Sequence, residues 1–191
     1  SCIKRTNIGF FVKRNKNFRY MFFLILFLLK FYIMIIRKGT KEDMQAVLNL
    51  IIELAVFEKE PDAVVVTEED LIRDGFCSNP LFHTFVAENN GEIVGMALYY
   101  NRYSTWKGKT IHLEDLVVKE SHRGTGAGIA LYSEIIKQGK KDNVRRIEWN
   151  VLDWNENAIK FYEKSGAKIL KDWYVVQMNE IGIDNFLNLN T

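Results

Sequence analysis

The run Leu113-Glu114-Asp115-Leu116-Val117-Val118-Lys119-Glu120-Ser121-His122-Arg123-Gly124-Thr125-Gly126-Ala127-Gly128 reads as an apolar strand, a polar turn and a glycine-rich bend. The bend opens into the helical pattern of Ile129 to Gln138. Glycines at alternate positions remove side chains where strand becomes helix, so a ligand can approach bare backbone N–H groups and the positive end of a helix dipole. An anionic group, a phosphate above all, is expected there.

The spacing narrows the choice. Gly128 is followed by Ile129 and Ala130, so the lysine that a Walker loop aims at a terminal phosphate is missing. The dinucleotide fingerprint is broken as well, because the glycines run Gly-x-Gly-x-Gly. What remains is Arg123-x-x-Gly126-x-Gly128 behind an acidic-tailed strand.

Working outward, residues 34–191 show the order β-α-α-β-β-β-α-β-α-β, which describes a mixed α/β sheet with helices on both faces. Met34 to Arg37 suits a strand. Thr40-x-x-Asp43 is a capping signature ahead of Met44, Val47, Leu48, Ile51 and Leu54 at helical spacing, and Thr67-x-x-Asp70 repeats the cap before a short helix stopped by Gly75. Phe82–Glu88 and Ile93–Tyr103 are strands joined by Asn89-Asn90-Gly91, a hairpin signal. Thr110 to Val118, Arg146 to Val151 and Trp173 to Met178 read as further strands, and Asn155 to Ser165 as a helix with Gly166 as its stop.

With 191 residues, 48% hydrophobic and 26% charged, the chain has the composition of a globular domain with a proper core. Its formal charge of +2 hides an uneven distribution. Residues 1–33 hold seven bases and no acid, so the other 19 bases face 24 acids and residues 34–191 stand at −5. An acidic body suits a cationic substrate better than nucleic acid. Two cysteines, Cys2 and Cys77, are too few for a disulfide framework and fit a reducing, cytoplasmic setting, with Cys77 expected as a small buried side chain. His83, His112 and His122 lack the company of other metal ligands.

Residues 1–33 differ from the rest. They hold seven of the thirteen phenylalanines, and their apolar run from Met21 is broken by Lys30, short of the ~20 residues of a spanning helix. No small-x-small cleavage site follows. The residue types are those of A/T-rich triplets, so the segment is expected to be upstream sequence translated in frame, with Met34 the start and residues 34–191 a single domain.

A second constellation, Asp153-Trp154-Asn155-Glu156-Asn157-Ala158-Ile159-Lys160-Phe161-Tyr162-Glu163-Lys164-Ser165-Gly166-Ala167, follows one strand later. Asn155 is a natural N-cap, and Ala158, Phe161 and Tyr162 share a helix face. Together, Arg123-x-x-Gly126-x-Gly128 and Asn155-x-x-Ala158-x-x-Phe161-Tyr162-x-x-x-Gly166-Ala167 resemble the GNAT acetyltransferase superfamily. Phe57-Glu58-Lys59, Asp74-Gly75-Phe76, Asn79-Pro80, Tyr103-Ser104-Thr105-Trp106-Lys107-Gly108 and Leu152-Asp153-Trp154-Asn155 add a similarity to its diamine (spermidine/spermine) branch, and to the thialysine N-acetyltransferases within it.

That resemblance implies a mostly antiparallel central sheet and transfer of acetyl from acetyl-CoA to a primary amine of a small cation. It implies pyrophosphate binding by Arg123, Gly124, Thr125, Gly126, Ala127, Gly128 and Ile129. Strand contacts to pantetheine would come from Leu116, Val117 and Val118, and a CoA wall from Asn155 and Ala158. Glu114 is implied as base or amine anchor, Tyr162 as general acid, and Phe57, Glu58, Trp106 and Glu148 as amine contacts. A free amine near pKa ~10.4 costs about 4.6 kcal/mol to deprotonate at pH 7, hence the carboxylate, while a phenol near ~10 arrives protonated and can donate to the leaving sulfur. Asp115 is expected on the opposite face from Glu114 if the strand is regular. Trp149, Trp154 and Trp173 are expected in the core. Phe57 stands where polyamine-acetylating relatives often carry tyrosine. A protein amine as acceptor, or a non-catalytic acyl-CoA-binding module, are the alternatives. Relatives commonly form homodimers, and neither nucleic acid nor a membrane is expected as partner of the folded domain.

Overall fold

The computed structural model describes residues 34–189, and the expectations for residues 1–33 lie outside it. The described residues divide after Trp149 into two compact units.

The first unit is built on a five-stranded sheet in the order β1-β2-β3-β4-β5: Met34–Lys38, His83–Asn89, Glu92–Ser104, Gly108–Val118 and Ile147–Glu148. The first four strands are antiparallel neighbours, and β5 joins β4 in parallel. The β2–β3 hairpin turns on Asn90 (φ 53°) and Gly91 (φ 81°), the positive-φ pair that the right-handed twist of a two-residue connection requires.

Helices cover both faces. On one, α1 (Met44–Phe57) and α2 (Glu68–Gly75) bury Met44, Val47, Leu50 and Leu71 against Val86, Met96, Leu98 and Val117. Both begin as their sequences imply. Asp70 accepts from the Thr67 amide and hydroxyl at 3.0 Å and caps α2, and Asp43 accepts from the Thr40 amide at 2.7 Å. On the other face lies α3 (Ala127–Lys141), with Leu131 and Ile135 fully buried. Gly95 makes this close approach possible: a Cβ there would meet the Val117 carbonyl at 2.9 Å and Leu131 at 3.2 Å.

The second unit holds α4 (Glu156–Lys164) and α5 (Glu180–Leu189). Asn155 caps α4, its Oδ1 accepting from the Ala158 amide at 3.2 Å, and Gly166 ends it at φ 93°. Several expectations are corrected here. Trp173 to Met178 is irregular and exposed, because an apolar run becomes a strand only when a neighbour completes its hydrogen-bond ladder. The helix α5 was not expected. Trp154 and Trp173 are exposed, and Trp149, in the first unit, is half-buried with its ring 5.7 Å from that of Tyr132. The strand expected over Arg146–Val151 shrinks to Ile147–Glu148. Cys77 is exposed, its Sγ 3.1 Å from the Asn79 carbonyl oxygen. Among the described residues no helix is long and apolar enough to cross a membrane.

Candidate active site

The glycine bend is built as its sequence implies. Gly124 (φ 77°) and Gly126 (φ 93°) occupy the left-handed region, where any Cβ is strained, although the space beside each is open. Gly126 is the N-cap of α3 and supplies no side-chain acceptor, and the first turn of α3 carries no acid. The leading amides of a fifteen-residue helix therefore face outward without a side-chain cap. Thr125 does not reach toward them, because its hydroxyl donates to the His122 carbonyl at 2.7 Å. Arg123 lies over the Phe57 ring, its guanidinium carbon 5.4 Å from the centroid, which ties the bend to the end of α1. Phe57, expected at the amine, thus also supports the glycine bend.

Strand β4 runs into this bend and is irregular just before it. Tyr99 pairs with Leu113 and Leu98 with Asp115, so Glu114 is the extra residue of a β-bulge. A bulge places consecutive side chains on one side of the sheet. Glu114 reaches His112, with Oε2 3.5 Å from Nε2, while Asp115 sits opposite Leu98, which packs beneath α1. Asp115 therefore shares the α1 face with Glu114, which corrects the expectation drawn from a regular strand.

This face gathers charge. Burial, with the charges of Glu114 and Glu58 beside it, pushes the Asp115 carboxyl up to about 6. Much of Glu58, at the end of α1, is exposed, yet partial desolvation raises its carboxyl too. Tyr100 is raised by burial and then by Glu114, to which it hydrogen-bonds. Its ring lies 5.2 Å from that of His112. His112 is buried, and its Nδ1 has no hydrogen-bond partner. An imidazole with Nε2–H turned to Glu114 leaves only a lone pair unsatisfied, which is cheaper than a stranded donor.

Beyond His112, β5 begins and ends. It pairs β4 only at Ile111 and His112, so Leu116, Val117 and Val118 have no strand on that side among the described residues. Glu148 is not a free carboxylate: Arg102 Nη1 lies 2.8 Å from one oxygen and Arg146 Nε 2.9 Å from the other. Trp106 is exposed at the far end of the β3–β4 hairpin, roughly 20 Å along the strand from Glu114. The first unit thus brings Phe57, Glu58, Glu114 and the glycine bend together and leaves Trp106 apart.

In the second unit Tyr162 is buried, its ring 5.3 Å from that of Phe161, and its carbonyl accepts from the Ser165 hydroxyl at 2.6 Å. Asn155 and Ala158 meet in the cap of α4. A surface cavity of about 440 Å³ lined by Arg37, Asp43, Glu88, Glu92 and Lys119 contains none of the expected site residues. Both of its cations are engaged by its own acids, Arg37 by Asp43 and Glu88, and Lys119 by Glu92.

Residues 45–167 match the Acetyltransferase (GNAT) family. The chain belongs to that family. Among the relatives of this GNAT chain is a thialysine N-epsilon-acetyltransferase of Bos taurus, 39% identical over 145 residues, 72% of this chain and 85% of the relative. A spermidine/spermine N(1)-acetyltransferase-like protein of Homo sapiens is 34% identical over 154 residues, 75% of this chain and 22% of that one. An integron cassette protein of V. cholerae shares the fold, with a TM-score of 0.67 at 22% identity, over 81% of this chain and 97% of its own. These matches make the chain an N-acetyltransferase of the GNAT family, with relatives named for thialysine and for spermidine and spermine.

Sequence reasoning missed His112, Tyr100 and Asp115 as members of the site. Their association depends on the bulge and the β3–β4 register, which carry no sequence signal beyond the neighbouring carboxylates of Glu114-Asp115.

Proposed function

We propose that the protein transfers acetyl from acetyl-CoA directly to the primary amine of a small cationic acceptor of thialysine, lysine or polyamine type. The observation that carries this reading is an exposed carboxylate, Glu114, on the bulged end of the strand that feeds an uncapped, glycine-turned helix N-terminus. The name of the bovine relative supports the class of acceptor.

The pyrophosphate of CoA would be held by Arg123 and the amides of Gly124 to Ile129, which fit it because they offer donors and no competing acid. Leu116 to Val118 would pair with pantetheine along the open edge of β4, and Asn155 and Ala158 would complete the CoA wall. Glu58, Glu114 and Asp115 draw the cation onto the α1 face, where Phe57 offers an aromatic face. Glu114, directly or through one water, takes the ammonium proton, and the amine nitrogen then attacks the thioester carbonyl. Strand amides near Leu116 stabilise the oxyanion. Tyr162, assigned from its place in the Asn155–Ala167 segment, protonates the departing thiolate. Residues 34–191 act as one functional domain in this reading, in a reducing, cytoplasmic setting and with a homodimer as the expected assembly.

Calorimetry with acetyl-CoA, followed by steady-state assays over a panel of amines, tests the proposal. Micromolar binding and turnover of at least one small primary amine are expected. Absence of binding at millimolar acetyl-CoA overturns it, and a Tyr162→Phe protein acetylating at the wild-type rate removes Tyr162 as the acid.

A further inference from the structure

The α1 face of the sheet carries a second charged group past His112, of the opposite sign. Arg102 on β3 reaches across β4 to Glu148 on β5, and Arg146 meets the other oxygen of the same carboxylate. Glu148 pairs with His112 in the β4–β5 register, and His112 touches Glu114. Both guanidiniums are therefore held at the level of His112, two residues or roughly 7 Å along the strand from Glu114.

Two guanidiniums around one carboxylate leave a net charge of +1. Both arginines keep solvent access, with side chains 53% and 37% exposed, while Glu148 is 24% exposed and set between them. Each guanidinium has five N–H donors in a rigid fork, and Glu148 engages Nη1 of one and Nε of the other. Glu148 thus takes up one nitrogen of each, and the rest of each fork is suited to a second planar anion.

We propose that Arg102 and Arg146 read the carboxylate of an α-amino acid whose side-chain amine is the acetyl acceptor at Glu114. This rests on the acceptor reading above and selects within it. An extended lysine-like molecule separates its side-chain amine from its carboxylate by about the distance between the acidic and basic groups of this face. Its cationic end meets Glu58, Glu114 and Asp115, and its anionic end meets the arginines. A polyamine lying the same way would place a second ammonium against two guanidiniums, which selects against it.

Matched pairs test this: lysine against lysinamide, and thialysine against its carboxamide, with cadaverine as the amine lacking a carboxyl group. The expected result is a preference for each free amino acid over its amide of about ten- to a hundredfold in kcat/KM, expressed mainly in KM. Arg102→Ala and Arg146→Ala should each remove most of that preference while moving amide turnover by no more than about twofold. Glu148→Gln breaks the same ion pairs but keeps both cations, so it should preserve or enlarge the preference, which a purely structural role for the network would not. Should the arginine variants fail to fold, the wild-type pairs alone decide. Equal turnover of acid and amide overturns this inference and leaves the acetyltransferase reading standing, as does a Glu148→Gln protein without the preference. Turnover of no amine overturns both.

Discussion

Along β4 the two edges differ: toward β3 it is paired from Gly108 to Val118, whereas toward β5 the pairing stops after His112. The closed edge buries Met96, Leu98 and Val117 beneath α1 and α2, and there the side chains serve packing. The open edge follows His112, and just beyond it the bulge at Glu114 turns two consecutive carboxylates onto one face, with the Glu114 side chain 52% exposed. One strand can serve as scaffold and site because its two edges have been separated. Substitutions on the two sides should accordingly fail in different ways.

The largest separation is expected from Glu114→Gln. Loss of a positioned base lowers kcat/KM by ~10²–10⁴, while stability stays within about 0.5 kcal/mol because the side chain is 52% exposed. Stopped-flow or steady-state kinetics beside a urea titration measures both, and a variant that unfolds as readily as it loses activity would erase the contrast between the edges. Met96→Ala is the complementary break. Met96 is fully buried, so the cavity should cost about 3 kcal/mol in urea unfolding, with the rate per folded molecule near wild type.

Asp115 belongs to both sides, and its expected effect is intermediate. Its folded pKa, about 6, lies above its ordinary 3.8, so the native state favours the protonated form. The cost of ionising it is absent below 3.8, grows between 3.8 and about 6, and is complete above that. Asp115→Asn should therefore be more stable than wild type at pH 7–8 by on the order of 2 kcal/mol, a gain that disappears near pH 4, with weaker binding of the cationic acceptor. Paired thermal melts across that range decide it, and an equal difference at every pH would count against the buried carboxylate. Arg123→Ala should have the smallest effect: about 0.5–1 kcal/mol of stability from the Phe57 contact, with affinity for CoA reduced about tenfold. Calorimetry and a melt read the two losses separately.

The glycine bend and the Asn155 cap were legible because they rest on local rules. A positive φ calls for glycine, and an N-cap calls for a short side-chain acceptor, wherever the chain then goes. The strands β2, β3 and β4 were legible from their apolar runs and the Asn90-Gly91 turn. The segment from Trp173 to Met178 was not, because its apolar residues satisfy the pattern of a strand while a strand needs a partner. Cys77 and Trp154 were placed inside by residue type alone, and burial is a property of what surrounds a side chain. Glu148 was read as an available acid because its two arginines come from different strands, Arg102 reaching it across β4.

The sequence by itself determined the family, the glycine turn at Gly124 and Gly126 and the Asn155 helix cap, since motif spacing and backbone preference act over a few residues. The tertiary structure alone decided that Asp115 joins Glu114 on one face, that His112 stands between a carboxylate and an arginine pair, and that β4 is left open beyond it. Those arrangements depend on strand register and on one inserted residue in a ladder, and register is fixed by contacts between segments far apart in the chain.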